Sequence, residues 1–292
     1  MELRVLRYFV QVARGESITR AANALHISQP TLSKQIKDLE AELGVKLFHR
    51  TNYSVRLTED GIRLRLRAED LLAMADQTMN EFIRKDRSVS GELRIGAAEG
   101  EAVRTLGSTM KKLAQQYPDI VYHMYAGDTE ALKEKLDSGF LDFLLVCEEP
   151  DLVRYQALTL PVDDLWGLVM KADDPMAAKD SVTFEDIADL PLIVARQALH
   201  QDLAHLFGAA AHRLHFAATY DLAHNASLLV KEGFGYLLTF DHLVDLSERS
   251  GLVFRPIAPE LRTRSHLLYR RYQIFSQAAE VFLNALENEL NQ

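Results

Sequence analysis

The chain has 292 residues, 48% hydrophobic and 26% charged, which suits a soluble globular protein and leaves room for two or three modules. A single cysteine, Cys147 in the apolar run Phe143–Cys147, excludes an internal disulfide framework. No stretch approaches a membrane span and no apolar segment follows a basic leader, so a cytoplasmic location without membrane association is expected.

The net charge of −9 argues against a nucleic-acid binder, but its distribution reverses that reading. Residues 1–58 hold nine Lys/Arg against five Asp/Glu, a balance of +4, which leaves −13 on the remainder. A basic N-terminal module on an acidic body matches a DNA reader joined to something else.

In chain order, Leu3, Leu6, Phe9, Val10 and Ala13 recur at helical spacing and predict a first helix from about residue 2 to Gly15. Residues 17–40 read as two short helices joined by a tight turn. Leu32, Ile36, Leu39 and Leu43 form one apolar stripe, while Pro30, Ser33, Lys34 and Lys37 fall on the opposite side. Ser28 can cap this helix and Pro30 sits in its first turn; Gly44 ends it. Such a face can simply be solvated. In a helix-turn-helix, however, its N-terminal end reads base edges. Two β-prone runs flanking Thr51-Asn52 predict a hairpin or wing carrying Arg50 and Arg56.

Thr58-Glu59-Asp60-Gly61 predicts a capped helix start with acids at the positive end of the dipole. From there to about Arg84, Leu64, Ala68, Leu71, Ala75, Thr78 and Phe82 make a heptad seam roughly 40 Å long. Pairing with a second copy is the expected use; lying on its own chain is the alternative. After a polar linker at 87–91 the pattern becomes α/β. Strands are expected near 93–97, 121–125, 140–147, 165–170, 192–195, 215–219, 235–240, 253–256 and 265–270. Helices are expected near 103–117, 128–138, 184–188, 199–211, 222–231 and 274–290, giving mostly parallel sheets covered by helices.

Along its whole length the chain resembles the LysR-type transcriptional regulators. The resemblance rests on Phe9, Thr19–Ala22, Leu25–Ser33, Ile36, Leu39-Glu40, Leu43-Gly44, Leu47–Arg50 and Leu57–Gly61. Further echoes lie at Gly127, Leu132, Leu136, 139–142, Val230 and 233–236. The resemblance implies a winged helix-turn-helix domain at 1–58, a dimerising linker helix at 59–87 and an effector-binding domain at 88–292. That last part would be α/β and two-lobed, like the periplasmic solute-binding proteins, with lobe I at 90–161 and 268–292 and lobe II at 162–267. It also implies homodimers or homotetramers, double-stranded promoter DNA and RNA polymerase as partners, and no cofactor. A small-molecule effector in the interlobe cleft would change the angle between the DNA-binding pairs and so transcription.

Within the reader, Gln29, Pro30 and Ser33 are expected at base edges, since Gln pairs bidentately with adenine and a Pro ring can meet a thymine methyl. Thr31, Lys34 and Arg50, with Lys37 and Arg56, are expected on phosphates. For the effector, loops at strand C-termini and helix N-termini point to Ala98, Glu99, Gly100, Glu101, Thr129, Arg196, Gln197 and Phe240. The family commonly holds a small carboxylate with Ser or Thr in the first of these loops. Glu99 and Glu101 stand there instead, which argues against a simple anionic effector. Arg196 could pair with an anion or with one of those glutamates, and Phe240 replaces a usual Pro.

Catalysis has no evident machinery. His200 and His205 are five apart, off the register of paired metal ligands, and His212 and His215 have no nearby Cys. There is no Gly-rich phosphate loop and no nucleophile elbow. A solute-binding protein or an α/β enzyme with an accessory helical domain would fit the second part alone, but neither accounts for the basic N-terminal module.

Overall fold

The computed structural model describes residues 1–50, 55–83, 89–199 and 207–291, and the chain forms two compact units, Met1–Asp86 and Arg87–Gln292.

In the first unit, helix α1 (Leu3–Gly15) buries Leu6, Phe9, Val10, Val12 and Ala13. Helix α2 (Ile18–Ala24) begins at Ser17, whose side chain accepts from the Arg20 N–H. His26, at a φ of 55°, turns the chain into α3 (Gln29–Leu43). The Ser28 hydroxyl accepts from the Thr31 N–H at 3.3 Å, Pro30 occupies the first turn, and Gly44 leaves the helix at a φ of 70°. Leu32, Ile36 and Leu39 are buried against α1 and α2.

The stripe departs from expectation at its end. Leu43 is 38% exposed, and the buried residue of the last turns is Glu40, at 4%. The cause is the returning backbone. The Leu47 N–H donates to Glu40 Oε1 at 2.9 Å and the Phe48 N–H at 3.4 Å, and Lys46 pairs with Oε2 at 3.3 Å. A carboxylate there satisfies two amides that a leucine could not.

Strands β1 (Phe48–Arg50) and β2 (Val55–Leu57) pair antiparallel, with His49 opposite Arg56. The expected turn at Thr51-Asn52 lies outside the described residues. Helix α4 (Glu59–Ile83) starts at Thr58, whose Oγ1 accepts from the Gly61 N–H at 3.0 Å and donates to the Lys46 carbonyl at 2.6 Å. A Cβ on Gly61 would stand 2.1 Å from the Leu47 carbonyl oxygen, so only glycine fits this contact. Of the expected seam, Ala68 is buried with Leu72 in the core that α1 helps form, Leu64 and Ala75 are half-buried, and Leu71 and Thr78 are exposed. Phe82 has no described side chain. Arg7–Asp76 and Arg14–Glu69 ion pairs join α1 to α4.

The second unit holds β3 (Gly91–Ala97), α5 (Val103–Gln116), β4 (Ile120–Tyr125), α6 (Thr129–Asp137), β5 (Phe143–Val146) and the long β6 (Tyr155–Lys171). Then come β7 (Val182–Thr183), α7 (Phe184–Ile187), β8 (Leu192–Ala195), β9 (Phe216–Tyr220), α8 (Ala223–Lys231), β10 (Tyr236–Phe240), β11 (Leu252–Ala258), β12 (Arg262–Arg270) and α9 (Gln277–Leu290). The strand order is β4-β3-β5-β12-β6-β10-β8-β9, with β11 also on β6 and β7 on β11.

Strands β3, β4 and β5 run parallel, as do β8, β9 and β10. β6 joins the two sets: its first half pairs with β12 and its second with β10 and β11. One core gathers Leu93, Ile95, Phe143, Leu160, Leu267 and Phe282; another gathers Trp166, Leu168, Val194, Leu238 and Ile257. The result is a two-lobed α/β domain whose cores divide between Leu160 and Trp166 and between Ile257 and Leu267.

The first half of β6 escapes the sequence pattern because Pro161 interrupts it. The β6–β12 register shifts between Arg264 and His266, opposite that proline, and a bulge is where a strand tolerates Pro. Helix α9 begins at Gln277 rather than Ile274 because Ser276 caps it through the Ala279 N–H. The expected helix 199–211 falls mostly outside the described residues; Gly208–Arg213 is a 3₁₀ turn.

Candidate functional site

The first candidate surface is the start of α3 with the strands that follow. Burial of Leu32, Ile36 and Leu39 turns Gln29, Pro30, Thr31, Lys34 and Lys37 into solvent, with Ser33 half-buried at the margin. The Thr31 and Ser28 hydroxyls share a hydrogen bond of 2.7 Å, which holds the first turn. Lys34, Lys37 and Arg56 are exposed and form no ion pair among the described residues. The Arg50 side chain lies outside the described residues. The helix start thus presents its positive dipole end, small polar side chains and cations together, which suits a phosphate-lined groove.

The second candidate is a cleft inside the Arg87–Gln292 unit, about 50 Å³ in volume, where the loops following β3, β4, β8, β9 and β10 converge. The C-terminal ends of parallel strands all point there, as open α/β sheets require of their ligand crevices. Of the expected residues, Ala98, Glu99, Arg196, Gln197 and Phe240 line it.

Three others serve beside it. Thr129 is buried and donates through Oγ1 to Gln197 Oε1 at 2.6 Å, a bond from one lobe to the other. Gly100 packs on Asp164 and Cys147, where a Cβ would lie 3.0 Å from Asp164 Oδ2 and 3.2 Å from the Cys147 sulfur. Glu101 donates its N–H to Asp164 Oδ1 at 2.9 Å and pairs its side chain with Arg104.

Glu99 Oε2 accepts from the Ala223 N–H at 2.8 Å. Ala223 opens α8, whose own N-cap residue, Leu222, offers no side-chain acceptor, so the opposite lobe supplies the cap. Arg196 pairs with neither glutamate. It faces Asp221 at 3.5 Å, because both stand at the ends of the adjacent parallel strands β8 and β9.

Sequence reasoning missed Trp166, Tyr220, Asp221 and Leu222 on the cleft wall. Trp166 and Phe240 pack edge to face at 4.5 Å, and the Trp166 indole N–H donates to Thr263 Oγ1 at 2.8 Å. The Tyr220 hydroxyl donates to Thr239 Oγ1 at 2.9 Å, and burial raises its pKa. Beneath the loop, Asp164 is 1% exposed, accepts from Glu101 and Ser265, and is held above the usual carboxylate range chiefly by burial. No local pattern marks these residues; topology alone gathers them.

Among the described residues no group of three or more His, Cys, Asp or Glu could hold a metal ion, and no helix is long and apolar enough to cross a membrane. His200 and His205 lie outside the described residues.

Comparison with known proteins gives the same division. The family described as the LysR substrate binding domain matches residues 86–291, and the bacterial regulatory helix-turn-helix protein, lysR family, matches residues 3–62. The DNA-binding transcriptional dual regulator OxyR of Escherichia coli (strain K12) is 31% identical over 276 residues, which cover 92% of this chain and 90% of that one. The uncharacterized HTH-type transcriptional regulator YcgK of Bacillus subtilis (strain 168) is 25% identical, covering 100% of this chain and 96% of its own. In fold, the chain is similar to full-length CbnR, solved in complex with its target DNA, with a TM-score of 0.74 at 18% identity and 99% of each chain covered. With a reading helix and an effector-binding domain in one polypeptide, the chain belongs to the LysR family of bacterial transcriptional regulators.

Proposed function

We propose that this regulator reads promoter DNA with the start of α3 and is controlled by a small molecule bound in the cleft beside Glu99. The observation that carries the reading is the exposed, cationic first half of α3 on a buried Leu32–Ile36–Leu39 stripe. Gln29, Pro30 and Ser33 would meet base edges, and Thr31, Lys34, Lys37, Arg50 and Arg56 the phosphates. CbnR, similar in fold, was solved on its target DNA, which supports this placement.

The working parts would be the reader at 1–58, the linker helix at 59–87 and the effector-binding domain at 88–292. Exposed Leu71 and Met79 on α4, and Val121, Met124 and Phe216 on the edge strands β4 and β9, favour self-association into a homodimer or homotetramer. A dimer would set two reading helices on successive half-sites. RNA polymerase is the partner through which bound regulator would change transcription, in the cytoplasm and without a catalytic step of its own.

The test is anisotropy of a labelled duplex from the gene's own upstream region. Wild-type protein should bind on the order of nanomolar and salt-sensitively, and the Ser33→Ala and Lys34→Ala variants should lose most of that affinity. Absence of sequence-preferred binding at physiological salt would overturn the reading.

A further inference from the structure

The cleft already contains an anion. Glu99 reaches across it and seats Oε2 on the Ala223 N–H at 2.8 Å, at the positive end of α8. Its second oxygen, Oε1, has no hydrogen-bond partner among the described residues. The other charged residues of the wall are Asp128, Asp221 and Arg196, and the half-exposed guanidinium of Arg196 faces Asp221 at 3.5 Å. Asp128 directs Oδ1 at the Glu130 and Ala131 N–H groups. The wall therefore carries three carboxylates against one paired cation. The remaining space of about 50 Å³ holds only a few waters, and Trp166, Tyr220 and Phe240 bound it.

An entering carboxylate would meet an occupied helix terminus and surplus negative charge. An ammonium group would meet Glu99 Oε1 and the neighbouring carboxylates, with aromatic walls suited to its apolar body and its charge. The loop bearing Glu99 is fixed from below, since the Glu101 N–H is held by Asp164 at 2.9 Å and Gly100 lies against Asp164 and Cys147.

Resting on the cleft reading above, we propose that Glu99 is a built-in carboxylate filling the anion seat of α8, so that the cleft selects small organic cations and rejects carboxylates. Glu99 is then the residue that sets the charge class of the effector.

The test uses the full chain and three probes sharing one apolar body, n-butylammonium, butyrate and butan-1-ol, titrated calorimetrically at about pH 7 and constant ionic strength. Wild-type protein should bind butylammonium about tenfold or more tighter than butyrate. Glu99→Gln keeps an acceptor for the Ala223 N–H but removes the charge, and should shrink that preference several-fold, to what Asp128 and Asp221 alone supply. Glu99→Ala, which empties the seat, should gain affinity for butyrate. Ala126→Trp, an exposed residue at the cleft wall, should remove all of this binding and so locate it. Butyrate binding as tightly as butylammonium to wild-type protein, and lost in Ala126→Trp, would overturn the cation assignment while leaving the cleft reading intact. Absence of any probe binding sensitive to Ala126→Trp would overturn both.

Discussion

Glu99 and Ala223 are 124 residues apart in sequence and joined by one hydrogen bond of 2.8 Å, from the first amide of α8 to a carboxylate on the opposite lobe. It caps a helix that lacks a cap of its own, and it ties the lobes at their cleft. Thr129 and Gln197 make a second such tie at 2.6 Å.

Removing the cap should therefore cost stability as well as change ligand choice. Glu99→Ala is expected to destabilise the second unit by about 1 kcal/mol, the usual worth of a helix cap, lowering its melting temperature by roughly 2–4 °C. Glu99→Gln should lose less, since it retains an acceptor. Differential scanning calorimetry of the three proteins checks the order; equal melting temperatures would show that the bond contributes nothing.

In the first unit the sensitive carboxylate is Glu40. Its Oε1 accepts from both Leu47 and Phe48 where the chain turns beneath α3. Glu40→Ala strands two buried amides and should cost about 2 kcal/mol or more, whereas Glu40→Gln keeps an acceptor and should cost less. Urea denaturation followed at a probe in the first unit distinguishes them. A mild Glu40→Ala phenotype would mean that water replaces the carboxylate.

Much of this architecture is legible from local patterns. The Ser28 cap, Pro30, the Leu32–Ile36–Leu39 stripe and Gly44 all act where their spacing predicts, because each feature is decided within one helix. Glu40 carries no local sign of its burial, because a carboxylate at a helix end finds its partners only once the returning Leu47-Phe48 backbone is present. Leu43, read as core, projects past the end of that core. The first half of β6 is hidden by Pro161, whose bulge only its partner β12 reveals. On the cleft wall, the βα-loop residues Glu99, Arg196 and Gln197 follow from the rule for parallel strands. Trp166 and Tyr220 come from strands whose relative positions no local pattern encodes.

Asp164 makes the stability of the effector domain pH-dependent. Burial holds its carboxyl above the usual carboxylate range, outweighing the bonds from Glu101 and Ser265, and Asp241 and Glu101 add repulsion. The folded chain thus retains a proton over a window in which the unfolded chain has released it. Stability falls as pH climbs through that window and stays lowered above it. Asp164→Asn should remove this slope and be at least as stable as wild type at neutral pH, since Asn still accepts from the Glu101 N–H. Thermal melts from about pH 4 to about pH 8 test it. An unchanged pH profile in the variant would contradict the assignment.

Helix α3 would read DNA through two separable sets of side chains, and the salt dependence of binding tells them apart. Affinity of the full chain for a labelled duplex from its own upstream region, and for a scrambled duplex, is measured against salt concentration. Lys34→Ala and Arg56→Ala should each weaken both duplexes alike and reduce the log–log slope by about 0.9, the loss of one phosphate contact. Gln29→Ala should leave the slope unchanged and narrow the ratio between the two duplexes by about 1–3 kcal/mol. If Lys34→Ala and Arg56→Ala leave the slope untouched and Gln29→Ala leaves the ratio untouched, the start of α3 is not the reading surface.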